Sequence, residues 1–155
     1  MAIKSAATVL RPFLKLFDLL KPVGDLIARV WVAQIFLQDG WFKLQNWNST
    51  VNIFSKHYPI VFLSPAVSAV FITAAELILS ICLLLGLGGR IMIFLFFIFN
   101  TIMIYSYNFL WTPEGTVTLN QQIAWNLLLM LLMLHGAGKM SVDYWLAKRH
   151  GHHLR

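Results

Sequence analysis

Cysteine occurs once in the chain, as Cys82 within the apolar run LILSICLLLG, so no intrachain disulfide and no Cys-x-x-Cys redox pair can form. Charge is scarce too. Asp, Glu, Lys and Arg make up 12% of the residues, and only six of these are acidic, against about a quarter charged in an ordinary soluble domain. Gly86, Gly88 and Gly89 follow no strand pattern and precede no Lys-Ser or Lys-Thr pair, which excludes a phosphate loop. The histidines His57, His135, His150, His152 and His153 share no single face or depth, and this argues against a haem with two axial histidines. No metal site is expected. The tail HGHH reads as a solvated basic segment, and Met92, Met103, Met130, Met133 and Met140 read as core filler, not copper ligands. The amino-terminal stretch lacks the plan of a cleaved signal peptide, so insertion as a polytopic chain is expected over secretion.

What the chain has in abundance is apolar sequence: 59% of it is hydrophobic and its mean hydropathy is +0.71. A span takes about 20 residues, so 155 residues hold four spans, short loops and no soluble domain. The expected fold is all-α, an integral membrane four-helix bundle forming a single domain over residues 1–155. Its spans are expected at about 25–44, 64–86, 90–111 and 120–136. The first opens between Pro22 and Asp25, a candidate N-cap. Ser64 and Pro65 start the second, which ends in GLGG, and HGAGK ends the fourth. Two amphipathic interfacial helices flank the bundle. One covers residues 4–20, with Lys4, Thr8, Arg11, Lys15 and Asp18 along a stripe, and the other is SVDYWLAKRH, capped by Ser141.

A formal charge of +6 would suit a nucleic-acid binder if the basic residues lined one groove, but they sit at span ends. The expected partner is the lipid bilayer, and no nucleic acid. With four spans, Lys4, Arg11, Lys15, Lys21, Arg90, Lys139, Lys148, Arg149 and Arg155 all fall on one side, so both termini are expected in the cytoplasm. The loops at roughly 45–63 and 112–119 then face outward, the first apolar enough to cap the bundle.

Four ionisable residues stand inside the first two spans or at their rim: Arg29, Asp39, Lys43 and Glu76. A charge at the centre of a membrane helix costs roughly 2.5–3.5 kcal/mol, so each needs a partner or a wet cavity. At about 100° per residue, Arg29, Phe36, Asp39, Gly40 and Lys43 share about a third of the helix circumference, with Gln34 and Gln38 opposite Arg29. Asp39 and Lys43, acid first at i and i+4, suit an ion pair on one helix. Glu76 shares its face with Ala69, Thr73 and Ser80, small or hydroxylated residues that let another helix approach. Counting about 1.5 Å per residue from Pro22 and from Gly86 puts Arg29 and Glu76 at depths about 5 Å apart, or about 9 Å if the span starts at Asp25. They are the expected ion pair between spans one and two. Asn100, with Met103 and Tyr107, and Asn126, with Gln122, Met130 and Met133, complete an inward polar ring. Two readings of that ring stay open. It fixes helix register, or it is a ligand pocket made by Arg29, Asp39, Lys43, Glu76, Asn100, Tyr107, Gln122 and Asn126.

The segments ARVWVAQIFLQDGWFKL, AAELILSICLLLGLGGR and NLLLMLLMLHGAGKMSVD together resemble the DoxX family of small four-span membrane proteins. Arg29, Gly40, Lys43, Glu76, Gly86, Arg90, Gly136, Gly138, Ser141 and Asp143 carry the resemblance, which runs from about Asp25 to Asp143. Two departures stand out. Gln38 and Asp39 replace the small residues common before the Gly-x-x-Lys segment, and the loop before the fourth span lacks the histidine often found there.

The resemblance implies a protein of the bacterial inner membrane. Some members resemble the membrane subunit of thiosulfate:quinone oxidoreductase, others are linked to oxidative-stress complexes, and distant relatives act as membrane chaperones or cargo receptors. The implied role is a quinone-associated or redox-complex membrane subunit. Arg29 and Glu76 would polarise or protonate a quinone carbonyl, with Tyr107 and Asn126 as hydrogen-bond donors. The chain carries no haem, flavin or dithiol motif of its own, so the electron donor would lie on a partner protein, and the chain would be an accessory subunit of an oxidoreductase. The rival reading is a non-enzymatic assembly, chaperone or interaction protein, which uses its apolar faces to hold another membrane protein or a further copy of itself. A solute transporter is disfavoured, since the chain lacks the inverted repeat and broken helices of alternating access.

Overall fold

The computed structural model describes residues 2–58, 63–136, 138 and 141–150, with side chains at all of these except 2–14, 16, 147 and 150. Among these residues are six α-helices and no strand: α1 (Ala2–Gln45), α2 (Trp47–His57), α3 (Pro65–Leu85), α4 (Gly89–Ser106), α5 (Thr116–His135) and α6 (Val142–His150). The side chains of Lys4, Thr8 and Arg11, and all of Lys139, Met140, His152, His153 and Arg155, lie outside the described residues.

Helix ends follow local chemistry. Ser64 Oγ accepts a hydrogen bond from the Val67 amide at 3.4 Å, and Pro65 takes the first helical position of α3, where its missing N–H is no loss. The same helix stops at Gly86, whose φ of 67° is the left-handed conformation that a glycine C-cap supplies. Ser141 Oγ accepts from the Tyr144 amide at 3.2 Å and so caps α6.

The amino-terminal part differs from expectation. The interfacial helix and the first span are one continuous α1 of 44 residues, with Pro22 and Asp25 inside it. An interior proline loses one helical hydrogen bond and crowds the carbonyl four residues back, at about 3 kcal/mol, and the good helix formers Leu19, Leu20, Leu26 and Ala28 favour the helix on either side of it. Arg29 lies beside Gly86 at the end of α3. The turns of α1 before Asp25 therefore continue past the bundle, with Phe17, Leu19 and Leu20 exposed.

α1 packs on α3 and α5, and α4 packs on the same two helices. The four long helices thus close a ring in the order α1, α3, α4, α5. The segment after α1, expected as a loop, is instead α2, which lies on α1 and α3. Thr50 ties it down: its one hydroxyl hydrogen is shared between the carbonyls of Lys43 at 3.0 Å, which the end of α1 leaves open, and Asn46 at 3.1 Å, which also accepts from the Thr50 amide at 2.9 Å. α4 ends at Ser106, before the expected Trp111. Two short 3-10 turns, Asn108–Trp111 and Pro113–Gly115, lead into an α5 that starts earlier than the expected residue 120.

The outer surface of the bundle is apolar, unlike that of a soluble protein. On α3 the buried residues are Ser68, Ala69, Thr73, Glu76, Ser80 and Leu83, while Val70, Phe71, Ile78 and Ile81 are exposed. An apolar outer face around a polar inner one is the pattern of a helix surrounded by lipid. Pro65–Leu85, Gly89–Ser106 and Pro113–His135 are long and apolar enough to cross a membrane, and the charged bundle half of α1 completes the four-helix ring. The apolar core of that ring is Val32, Ala33, Phe36, Leu83, Ile93, Phe96, Leu129 and Leu132.

Candidate functional site

Gly40 sets the distance between α1 and α3. A Cβ there would stand 2.7 Å from Leu77 Cδ2, so the missing side chain is what lets the two helices approach. One turn further on, Lys43 reaches across. Its Nζ lies 2.6 Å from Glu76 Oε2 and 2.9 Å from Asp39 Oδ2. Glu76 is buried, and Ser80 Oγ donates to the Glu76 backbone carbonyl at 2.6 Å, which satisfies the buried hydroxyl within its own helix. The Asp39 side chain is 51% exposed. One ammonium thus stands against two carboxyl groups, one on its own helix and one on α3.

Aromatic rings wall this group. Phe54, Tyr58 and Tyr107 form a continuous stack, with ring centroids 4.6 Å apart at both steps, and Phe36 stands edge-on to Trp125 at 5.8 Å. Burial pushes the Tyr58 phenol well above its ordinary value, and burial raises Tyr107 too. Both rings therefore keep their hydroxyl protons.

Two adjoining cavities meet at the charged group. The inner one, about 30 Å³, is lined by Glu76, Asn100, Met103 and Tyr107 among others, room for about one or two waters. The outer one, about 370 Å³, lies between α1, α2 and α5 and is lined by Phe42, Ile53, Phe54, Thr118 and Trp125 among others. Phe36, Asp39, Lys43, Tyr58, Tyr107 and Gln122 belong to both.

Of the residues singled out from sequence, Asp39, Lys43, Glu76, Asn100, Tyr107 and Gln122 thus come together at one place. Asn126 stands behind it: Asn100 Nδ2 donates to Asn126 Oδ1 at 3.3 Å, and Asn126 Nδ2 donates to Thr101 Oγ1 at 2.9 Å. Arg29 is elsewhere. Its guanidinium lies against Gly86 and Ser141 at the opposite end of the bundle, while Glu76 takes Lys43 as its ion-pair partner. Gly40 is level with Glu76 and Arg29 with Gly86, which sets Arg29 and Glu76 about 15 Å apart along the helix axes. The expected Arg29–Glu76 pair is therefore not formed. The depth count fails because α1 has no start at Pro22 from which to measure.

Sequence reasoning also misses Tyr58, Phe54, Thr50 and Trp125 as lining residues. The spacing of Trp47, Thr50, Phe54 and His57 carries a helical period, but Asn, Ser and Thr between them read as loop. Among the described residues, no cluster of three or more His, Cys, Asp or Glu could hold a metal ion.

Neither the curated proteins nor the solved structures contain a significant match to this chain. The DoxX family model, however, matches residues 24–108. That stretch runs from the bundle half of α1 to the end of α4 and includes Gly40, Lys43, Glu76 and Tyr107, and the chain belongs to the DoxX family.

Proposed function

We propose that this DoxX protein is a quinone-associated membrane subunit that holds a ring-bearing lipophile in the pocket between α1, α2 and α5. The observation that carries this reading is the pocket of about 370 Å³, in which an apolar and aromatic wall of Ile35, Phe36, Phe42, Ile53, Phe54 and Trp125 faces polar groups, the charged corner at Asp39 and Lys43 with Gln122, and Asn46, Ser49, Thr50 and Thr118. Small-molecule sites have this size and this division between apolar wall and a few orienting polar groups. A quinone head has flat faces for Trp125, Phe54 and the tyrosines, and oxygen atoms for Lys43, Tyr58 and Tyr107.

The chain's own residues bind and orient the ring and hold protons beside it, with Asp39 joining the charged group to the pocket mouth. Electrons come from a partner protein, since nothing in the sequence is a redox group. The positions of Lys15, Lys21, Arg90 and Lys148 support a bacterial inner-membrane orientation with both termini in the cytoplasm and the pocket near the outer face.

Purification in mild detergent from the native membrane, with mass spectrometry of what stays bound, tests the reading. Quinone retained by the wild type and lost from Lys43→Met supports it. Preparations that both hold only lipid, or the same partner protein, overturn it in favour of an assembly role.

A further inference from the structure

Helix α1 has a second side that its own bundle does not use. Arg29, Val32, Phe36, Gly40 and Lys43 turn one side of it inward. On the opposite side Phe17, Leu20, Gly24 and Ile27 are exposed, and Trp31, Gln34, Gln38, Trp41 and Gln45 continue the same line, exposed as well. From Phe17 to Gln45 these positions alternate steps of three and four residues without a break. That is a period of 3.5, the repeat of a helix that pairs with another in a left-handed coiled coil. Asp18, Lys21, Asp25, Arg29, Asp39 and Lys43 all lie off the line, so no charge stands where a second helix would pack.

We propose that two copies of this chain pair in parallel along this line of α1. Copies of one chain insert in the same orientation, so each residue of the line meets its own counterpart at the same depth. Gln34 and Gln38 fall in the bundle half of α1, where lipid offers an exposed amide no hydrogen bond. A glutamine amide both donates and accepts, so each is complementary to its counterpart in the other copy without a third group.

The length of α1 gives a second reason. At 1.5 Å per residue its 44 residues reach about 66 Å, roughly twice the apolar thickness of a bilayer. Phe17 and Leu20 stand on the half that runs past the bundle, where a straight α1 has left the lipid and needs a second helix to cover them. Pro22 falls on the far side of α1 from the line and leaves that approach open.

The test is disulfide trapping of the full chain in its native membrane, with Cys82→Ser so that each added cysteine is alone. Ile27→Cys, Gln34→Cys and Gln38→Cys are expected to give a covalent dimer on mild oxidation. Val30→Cys, exposed on α1 but off the line, and Ile102→Cys, exposed on α4, are expected to give little. In liposomes, energy transfer between donor-labelled and acceptor-labelled copies reads the association constant. The double variant Gln34→Leu with Gln38→Leu is expected to lower it about tenfold, the worth of two interhelical hydrogen bonds in a membrane. No dimer, or dimer in equal yield at Val30 and Ile102, overturns the pairing. Cysteines of the line trapped on a different polypeptide overturn the second copy as the occupant. An association constant unchanged by the loss of both amides overturns their part in it.

Discussion

Lys43 Nζ lies 2.6 Å from Glu76 Oε2, joining α1 to α3 across 33 residues of sequence. The same ammonium holds Asp39 one turn back at 2.9 Å. A single cation thus holds one buried carboxylate and one at the exposed rim of a bundle whose outer faces are apolar, and its neighbours at this end are arranged around it: Gly40 sets the helix spacing, Thr50 anchors α2 to the Lys43 carbonyl, and the Phe54–Tyr58–Tyr107 stack closes the wall.

Removing the cation should therefore be far worse than removing one anion. Lys43→Met leaves Asp39 and the buried Glu76 without a counter-charge, and a stranded buried charge costs about 3–5 kcal/mol. Glu76→Gln leaves Lys43 paired with Asp39 on the same helix, for a cost of roughly 1–3 kcal/mol. The double variant Lys43→Met with Glu76→Gln should recover most of what Lys43→Met loses. Thermal unfolding of the four proteins in one detergent checks this, and a double variant that melts no higher than Lys43→Met contradicts the coupling.

At the other end, Gly86 admits no side chain. Its φ is 67°, and an added Cβ would fall on Arg29 Nη1 and Ser141 Cβ. Gly86→Ala should cost about 1–2 kcal/mol for the left-handed backbone alone, with more from displacing the fully buried Arg29. The unfolding midpoint should drop, whereas Gly24→Ala, where an added Cβ meets nothing within 4 Å, should leave it unchanged or raise it slightly.

Capping is local chemistry, so the ends of α3 and the start of α6 are legible in Ser64, Pro65, Gly86 and Ser141. The inner face of α3 is legible for a similar reason: a helical period of Ala69, Thr73, Glu76 and Ser80 needs no partner to be recognised. Which charge meets Glu76 is a different kind of question. It depends on the register of α1 against α3, and α1 runs through Pro22 without an end that would fix that register. Tyr58 is hidden for the same cause, since it acquires its role only by stacking on Tyr107, 49 residues later in the chain.

The asparagines of α4 and α5 should separate structure from ligand binding. Asn100, Asn126 and Thr101 hydrogen-bond one another behind the pocket. Asn126→Leu removes these links, and interhelical hydrogen bonds of this kind in membranes are worth about 0.6 kcal/mol, up to about 1.7. A small fall in unfolding midpoint with quinone retention unchanged is the expected result. Loss of the ligand without loss of stability would move Asn126 into the site.

Gly40 offers the most direct link between packing and the site. A Cβ there meets Leu77 Cδ2 at 2.7 Å and Cγ at 2.9 Å, with Glu76 Oε2 at 3.8 Å. Gly40→Ala must therefore either turn Leu77 away or lift α1 off α3, and overpacking of this sort costs about 1–3 kcal/mol. Lifting α1 draws Lys43 from Glu76, so ligand retention should fall together with stability. Leu77→Ala removes the atoms that the new methyl group meets. In the double variant Gly40→Ala with Leu77→Ala, retention should return although the bundle has lost a leucine, because what the site requires of this position is the distance between two helices. A double variant that regains no ligand would mean that Gly40 acts through something other than that spacing.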